Sequence, residues 1–257
     1  MHLRITLCQL STVWEDKSAN LSRIKQLIDD HDAGSDLIIL PETFTTGFTM
    51  SAGALAESMK GPAVAWMREM AATWQSTVIG SIIVEQDKRY YNRLIVMPAE
   101  GSLQYYDKRH LFRMSGEQSH YSAGTGKLIF PINDWKIHPL ICYDLRFPVW
   151  SRNRNNYDVL IYIANWPEAR SDVWKALLKA RAIENYCYVV GVNRTGTDGQ
   201  GIRYCGESMA FDFKGRTLVN LGNKSDYIYT IGLDMKKQME FREKFPVFLD
   251  ADDFIIK

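Results

Sequence analysis

Three chemically reactive side chains, Glu42, Lys108 and Cys142, each stand at the end of a short apolar run of strand length. In layered α/β proteins the carboxyl ends of strands gather ligands and catalytic groups, so we expect these residues to meet. Taken singly, each has an ordinary alternative: a glutamate in a turn, a surface lysine paired with Asp107, and a core cysteine. Their shared position at strand ends is what predicts a common site.

The three residue types together can hydrolyse a carbon–nitrogen bond. A thiol attacks a carbonyl as the thiolate, so Cys142 needs a base or a nearby positive charge. Glu42 can accept the thiol proton and later return it to departing ammonia. Protonated Lys108 can stabilise both the thiolate and the oxyanion of the tetrahedral intermediate. The backbone N–H of Tyr143, which follows the nucleophile, is the natural second donor to that oxyanion.

Composition places the 257-residue chain among ordinary folded proteins and narrows its partners. Hydrophobic residues make up 46% and charged residues 24%, and the formal net charge is +1 with the signs mixed along the sequence. Because no basic stripe is present, we expect no nucleic-acid partner. No apolar stretch approaches the ~20 residues that span a bilayer, and the first residues do not read as a signal peptide. We therefore expect a cytoplasmic protein without a membrane partner.

The four cysteines agree with a reducing compartment. Cys8 and Cys187 lie in apolar runs typical of the core, and nothing beside Cys205 indicates an activated thiol. There is no CxxC pair and no Cys/His cluster with zinc-ligand spacing, so we expect no metal site.

Strand-like runs alternate with helical patterns in the first half of the chain and with hairpin signals in the second. Pro62 is placed as a first-turn proline, Ser171 as a cap of a later helix, and residues 212–215 as a hairpin turn. This order predicts an α/β layered fold. We see no repeat or linker and expect one domain over residues 1–257. Its last part, residues 235–257, mixes charge with phenylalanines and is expected to pack on its own body or on a second subunit.

Several motifs resemble the Glu-Lys-Cys signatures of the nitrilase (carbon–nitrogen hydrolase) superfamily. The segments that carry the resemblance are LPETFTTGF, YYDKRHLF and ICYDLRFP, followed by Asn165-Trp166-Pro167, WKALLKARAIENYCYVVGVNRTG and GESMAFDFKG. Glu117 matches the second glutamate of that family through its spacing to Gly124. Within the superfamily the sequence is most similar to bacterial omega-amidases of the YafV type.

The resemblance implies a four-layer α-β-β-α sandwich that dimerises, and a thioester acyl-enzyme at Cys142 formed without a cofactor. It also implies that Glu117 helps to position the lysine and the substrate. The implied substrates are short 2-oxo dicarboxylic acid monoamides, 2-oxoglutaramate and 2-oxosuccinamate. The stretch between Lys108 and Glu117 is short compared with some relatives, so the loop that carries Glu117 is expected to close over the site differently.

A carboxylate on the substrate calls for a cation, preferably the bidentate fork of an arginine. Arg113 and Arg170, each close to a motif, are candidates, although a surface role is an ordinary alternative for both. Phe44 and Trp166 are candidates for the walls of the pocket, with core packing as their alternative. We expect Arg146 to make a structural ion pair.

Other functions fit the residues less well. The chain has no GxSxG, HExxH or Walker motif. A Cys/His mechanism with His138 is implausible because residues i and i+4 of one strand are roughly 13 Å apart. His110 fits either a supporting position or a loop. The remaining alternatives are another amidase or carbamoylase of the superfamily, a nitrilase, and a catalytically silent binding protein.

Overall fold

Two six-stranded mixed sheets form the centre of the structure, in a computed structural model that describes residues 2–31 and 34–256. The strands of the first sheet are β1 (His2–Gln9), β2 (Leu37–Ile39), β3 (Thr77–Gln86), β4 (Arg89–Met97), β5 (Gln104–Asp107) and β14 (Tyr227–Asp234). Their order is β14-β1-β2-β3-β4-β5. Strands β1, β2 and β3 are parallel, and the outer strands add antiparallel pairs.

The second sheet has the same plan, with three parallel strands at its centre. Its strands are β6 (Phe130–Ile132), β7 (Trp135–Ile141), β8 (Val159–Ala164), β9 (Tyr188–Asn193), β12 (Met209–Phe211) and β13 (Thr217–Asn220). Their order is β13-β12-β9-β8-β7-β6. A separate small hairpin is formed by β10 (Thr195–Thr197) and β11 (Arg203–Cys205).

Helices cover the outer faces of both sheets. The α-helices are α1 (Lys17–Asp29), α2 (Ala52–Leu55), α3 (Pro62–Trp74), α4 (Pro148–Ser151), α5 (Ser171–Asn185) and α6 (Met235–Lys244). The 3₁₀ turns are Arg113–Ser115, Glu117–Ser119, Cys142–Arg146, Glu168–Arg170 and Val247–Asp250. Helices α1 and α3 bury apolar side chains against β2 and β3, and α5 packs on the second sheet. Apolar side chains of both sheets share one further cluster, so the layers are α-β-β-α. The predicted fold class is confirmed.

Local structure follows the sequence signals with two differences. Pro62 is in the first turn of α3, as predicted, and the turn after Asp212 joins β12 to β13. Ser171 was expected as a cap but is itself helical, because the 3₁₀ turn before it runs directly into α5. The apolar run that ends in Cys142 is a strand only up to Ile141, and Cys142 begins a 3₁₀ turn.

The C-terminal segment packs partly on the body of the chain. Phe241 stacks on Tyr186, with ring centroids 5.6 Å apart, and Arg242 donates to Asp158 at 2.8 Å. Further along, Leu249 and Ile255 are 73% and 89% exposed. Within the described ranges, no helix has the length and apolar character needed to cross a membrane.

Candidate active site

Four strand ends converge on one cavity between the two sheets. Glu42 follows β2, Lys108 follows β5, Cys142 follows β7 and Asn165 follows β8. The first sheet therefore supplies the carboxylate and the ammonium, and the second supplies the thiol. This is the meeting of side chains that the strand ends predict.

The Glu42 carboxylate is buried and held by four donors. Its Oε1 accepts from Lys108 Nζ at 2.9 Å and from the Asn92 side chain at 2.8 Å. Its Oε2 accepts from the backbone N–H of Asn165 at 2.8 Å and from the Asn165 side chain at 3.3 Å. The Cys142 thiol donates to the carbonyl oxygen of Asn165 at 3.9 Å, the same residue whose backbone and side-chain nitrogens donate to Glu42. Glu42 is thus held in one orientation, close enough to Cys142 for its charge to raise the pKa of the thiol.

Lys108 lies between two carboxylates and is 1% exposed. Its Nζ donates to Glu42 and, at 3.0 and 3.1 Å, to both oxygens of Glu117, which is fully buried. Burial by itself lowers the pKa of Lys108, but the charges of Glu117 and Glu42 more than offset it, so this pKa lies well above its ordinary value. Burial raises the pKa of Glu117, against the opposing effect of the Lys108 ammonium. The lysine is therefore a permanent cation in the site.

Cys142 has a strained backbone conformation, with φ of 44° at the start of its 3₁₀ turn. Such a turn after a strand presents the side chain at the sheet edge, where the half-buried sulfur lines the cavity. Burial raises the pKa of the thiol well above its ordinary value, and the Glu42 charge adds to this while Lys108 opposes it. The resting group is consequently a thiol rather than a thiolate.

The backbone N–H of Tyr143 lies in the first turn of that 3₁₀ segment. N–H groups in a first turn have no acceptor within their own helix. The ring of Tyr143 is held by edge contacts with Phe112 and Phe147, and the residue lines the cavity beside Cys142. This geometry leaves the N–H available to donate to the carbonyl oxygen of a substrate whose carbon is bound to the sulfur.

The cavity has a volume of about 110 Å³ and carries two further cations. The Arg146 guanidinium lies over the Trp166 ring and that of Arg170 over the Phe112 ring, both at 5.2 Å from the centroid. In the described part of the chain, neither arginine has a carboxylate within 4.0 Å. Two guanidinium groups thus remain available to an anionic ligand.

The hairpin of β10 and β11 forms the remaining wall. Asp198 lines the cavity, and its carboxylate accepts three hydrogen bonds from within the hairpin segment. The donors are the backbone N–H groups of Gln200 and Ile202 and the Tyr204 hydroxyl, each at 2.9 Å. It therefore helps to shape this wall of the cavity. Among residues 2–31 and 34–256, no group of His, Cys, Asp and Glu side chains has the arrangement of a metal site.

Comparison with known proteins places this architecture in a family. The carbon–nitrogen hydrolase family matches residues 4–243. Omega-amidase YafV of Escherichia coli (strain K12) is 43% identical over 252 residues, which cover 98% of each chain. The 2-oxoglutaramate amidase of Bacillus subtilis (strain 168) is 33% identical, covering 97% of this chain and 98% of that protein. The XC1258 structure from Xanthomonas campestris, a CN-hydrolase superfamily protein with an arsenic adduct in its active site, superposes with a TM-score of 0.97 at 42% identity over the whole of both chains.

The chain belongs to the carbon–nitrogen hydrolase family. The resemblance drawn from the motifs is thereby confirmed over nearly the full length. The relatives from Escherichia coli and Bacillus subtilis are both named as amidases, and the family acts on carbon–nitrogen bonds, so this chain is an amide-hydrolysing enzyme.

The substrate-binding candidates from the sequence fall into two groups in this carbon–nitrogen hydrolase. Trp166 and Arg170 line the cavity. Phe44 does not: it is 1% exposed and packs against Trp66 of α3 on the outer side of the first sheet. Arg113 is exposed in its 3₁₀ turn and also lies outside the cavity wall. Arg146, expected in a structural ion pair, instead lines the cavity and has no carboxylate partner among residues 2–31 and 34–256.

Sequence reasoning gave no role to Asn92 and treated Asn165 only as part of a matching motif. Asn92 lies in the middle of β4, where a buried polar residue is a signal in itself because it needs a partner. Asn165 ends β8, the same kind of position as Cys142 at the end of β7. A search for polar residues at every strand end would have found Asn165.

Gly124 supports the lysine through backbone contact, which gives a testable consequence. Its N–H donates to the Lys108 carbonyl at 2.9 Å, and a Cβ at Gly124 would stand 2.2 Å from the Asp107 carbonyl oxygen. Gly124→Ala should therefore displace the lysine segment, which we define as residues 106–110. The change should cost about 1–3 kcal/mol of unfolding free energy and lower kcat by about 10²-fold. Thermal unfolding and ammonia release measure the two effects.

Gly126→Ala is the matched control, since a Cβ there would meet nothing within 4 Å. This variant should keep the kcat and melting temperature of the wild type. If both alanine variants had the same kcat and the same melting temperature, Gly124 would not hold the lysine segment in place.

Proposed function

We propose that this protein is an omega-amidase that hydrolyses the terminal amide of 2-oxoglutaramate and 2-oxosuccinamate to the 2-oxo dicarboxylate and ammonia. The observation that carries the proposal is the cavity itself, in which Cys142, Glu42 and Lys108 are joined by two arginines that have no carboxylate partner in the described ranges of the chain. A short monoamide has matching ends: an amide for the thiol and a carboxylate for a guanidinium. The 43% identical omega-amidase and the 33% identical 2-oxoglutaramate amidase support the same substrate class.

In the acylation half-reaction the thiol proton passes to Glu42 as the Cys142 sulfur attacks the amide carbon. The carbonyl π electrons move to oxygen, and the resulting oxyanion is stabilised by the Lys108 ammonium and the Tyr143 N–H. The carbon–nitrogen bond then breaks, and Glu42 returns its proton to the departing nitrogen. Ammonia leaves and a thioester remains on Cys142.

Deacylation repeats these steps with water as the nucleophile. Glu42 takes a proton from water, whose oxygen attacks the thioester carbon, and Lys108 and Tyr143 again stabilise the oxyanion. The carbon–sulfur bond breaks, and the proton held by Glu42 returns to the sulfur. Glu117 keeps the Lys108 Nζ in place throughout, through its two hydrogen bonds.

The alternatives are another amidase or carbamoylase of the family and a catalytically silent binding protein. Ammonia release from 2-oxoglutaramate, 2-oxosuccinamate, butanamide, a nitrile and a carbamoyl compound distinguishes them. We expect the highest kcat/KM with the two oxo acids. Equal kcat/KM for butanamide would favour a general amidase, and no turnover of any compound would favour the binding protein.

The two cavity arginines should control the affinity for the carboxylate. Replacing Arg146 or Arg170 by glutamine removes a charge-assisted hydrogen bond, commonly about 1.5–3 kcal/mol. We therefore expect kcat/KM for 2-oxoglutaramate to fall about 10- to 100-fold, mainly through KM. Arg146→Lys should recover part of the loss, since lysine keeps the charge without the bidentate fork.

Butanamide and the exposed Arg113 supply the controls. Because butanamide has no carboxylate, its kcat/KM should not change in either arginine variant. Arg113→Gln should leave the kinetics of both substrates unchanged, as this side chain lies outside the cavity wall. If kcat/KM for 2-oxoglutaramate fell in Arg113→Gln and not in the cavity variants, the substrate carboxylate would bind near Arg113 instead.

We further propose a cytoplasmic homodimer. Support for the dimer comes from exposed apolar side chains near the C-terminus, including Phe245 at 56%, Leu249 at 73% and Ile255 at 89%. Support for the compartment comes from cysteines that are all free. Light scattering should give twice the chain mass, and cell fractionation should place the protein with cytoplasmic enzymes; a monomer or an exported protein would contradict the respective part.

A further inference from the structure

The carboxylate of Asp144, two residues after the nucleophile, is fully buried and accepts four hydrogen bonds. Its Oδ2 accepts from the Tyr106 hydroxyl at 2.8 Å and from the Ile141 N–H at 3.0 Å. Its Oδ1 accepts from His110 twice, from the backbone N–H at 3.0 Å and from Nδ1 at 2.7 Å. We propose that Asp144 is a positioning residue that fixes the Lys108 ammonium relative to the Cys142 sulfur.

Two of the residues that donate to Asp144, Tyr106 and His110, lie on either side of Lys108 in the sequence. Tyr106 precedes Lys108 by two residues and His110 follows it by two, so Asp144 holds the lysine segment on both sides of the ammonium. The lysine backbone between them is paired as well, its N–H with Asn92 at 3.0 Å and its carbonyl with Gly124 at 2.9 Å. The segment cannot shift toward or away from the cavity without breaking bonds to Asp144.

On the other side, Asp144 fixes the turn that presents the nucleophile. By accepting from the Ile141 N–H, its side chain closes the 3₁₀ turn back onto the end of β7. Cys142 lies between the two bonded residues and has the left-handed φ of 44°. A carboxylate at position 144 therefore stabilises the unfavourable conformation that the nucleophile requires.

Asp144 also joins the two sheets at the site. The lysine segment continues β5 of the first sheet, whereas the cysteine segment, the turn Cys142–Arg146, continues β7 of the second. Lys108 and Cys142 thus reach the cavity from separate layers, and Asp144 bonds directly to both segments. A shift of one layer against the other would change the separation of ammonium and sulfur.

The groups around Asp144 are themselves held in place. The Tyr106 oxygen accepts from Trp150 Nε1 at 3.1 Å and from the Arg109 N–H at 3.2 Å, which directs its own proton to Asp144. The His110 ring stacks on Phe147 with centroids 3.8 Å apart. Such fully satisfied buried networks define one geometry, and a displacement near 1 Å at a reacting group can cost about 10²-fold in rate.

Asp144→Asn tests the proposal. Asparagine has the same size, but its NH₂ group would face donors, so one pair of the four hydrogen bonds is lost. We expect kcat for 2-oxoglutaramate to fall by about 10²-fold. KM should change by a smaller factor, because Arg146 shares the turn that Asp144 fixes whereas Arg170 lies in a separate turn. Alkylation of Cys142 by iodoacetamide, followed by peptide mass spectrometry, should slow in parallel because the lysine charge no longer favours the thiolate.

Tyr106→Phe keeps the test decisive if the Asp144 variant does not fold. It removes one donor to Asp144 and should lower both kcat and the alkylation rate about 10-fold. Tyr157→Phe is the matched control, since Tyr157 is equally buried at 2% and its hydroxyl donates to the Ser151 carbonyl outside the cavity. That control should lose comparable stability and keep wild-type kcat and alkylation.

A purely structural role gives the opposite pattern. If Asp144→Asn and Tyr106→Phe lower the melting temperature but the folded proteins keep wild-type kcat and alkylation rates, the positioning role is overturned. The kinetic half of this test rests on the proposed function, whereas alkylation does not. Failure of the wild type to release ammonia from 2-oxoglutaramate would reject the omega-amidase assignment and leave the alkylation comparison to decide on Asp144.

Discussion

Replacing Cys142 with alanine should reduce ammonia release from 2-oxoglutaramate by at least about 10⁴-fold, to the level of the assay background. The reason is that the sulfur supplies the bond-forming atom, and neither Glu42 nor Lys108 can form the thioester in its place. Because alanine is smaller and the sulfur is only half-buried, the variant should fold and keep its melting temperature to within a few degrees. Initial rates and thermal unfolding measure the two outcomes.

Cys205→Ala is the matched control for that experiment. Cys205 is also free and half-buried, and it lies in β11, in the hairpin that lines the cavity. It has no role in the chemistry proposed here, so its alanine variant should keep wild-type kcat. Incubation of wild type with substrate and rapid acid quench should also leave an acyl group on Cys142; its absence together with an active Cys142→Ala protein would reject the thioester.

The main constellation could be predicted because each of its members follows a strand. Glu42, Lys108 and Cys142 come from distant parts of the chain, and the layered α/β pattern brings the carboxyl ends of neighbouring strands together. Similarly, the first-turn proline of α3 and the turn after Asp212 are local signals, and the structure has both. The role of Glu117 depended on the family resemblance, since a glutamate beside a glycine has no local signature of burial.

What could not be predicted depends on the direction in which a side chain leaves the backbone. Arg146 ends the 3₁₀ turn that starts at Cys142, and that turn carries its guanidinium to Trp166 at the cavity. Phe44, only two residues after Glu42, points to the opposite side of the sheet, where it packs closely over Gly80 and against Trp66. Sequence proximity to a motif was therefore a poor guide to cavity lining for both residues.

The charge balance of the site also required the structure. One ammonium lies between two buried carboxylates, Glu42 and Glu117, so the group around Lys108 has an excess of negative charge before the thiol ionises. Burial and the Glu42 charge raise the pKa of Cys142 accordingly. A free thiolate is therefore disfavoured in the resting protein, and in the proposed mechanism proton transfer to Glu42 accompanies attack on the substrate.

Glu42→Gln should consequently lower kcat for 2-oxoglutaramate by about 10²- to 10⁴-fold, the usual contribution of a general acid–base group. Glutamine preserves the size of the side chain, and its oxygen can still accept from Lys108 and Asn92, but it cannot take the thiol proton or deliver one to ammonia. A p-nitrophenyl ester of a short acid should be less affected than the amide, because nitrophenolate leaves without a proton. Parallel assays of amide and ester measure this difference.

Glu57→Gln separates loss of the base from loss of a buried carboxylate. Glu57 is 9% exposed and accepts from the Ala63 N–H at 2.7 Å near the start of α3, away from the cavity. This control should reduce stability and leave kcat unchanged. If Glu42→Gln also kept its kcat, or lost equal factors on amide and ester, Glu42 would not be the proton donor to the leaving nitrogen. The geometry favours a loss of kcat that is larger for the amide, since Lys108 and Asn165 both donate to Glu42 and Asn165 also accepts from the thiol.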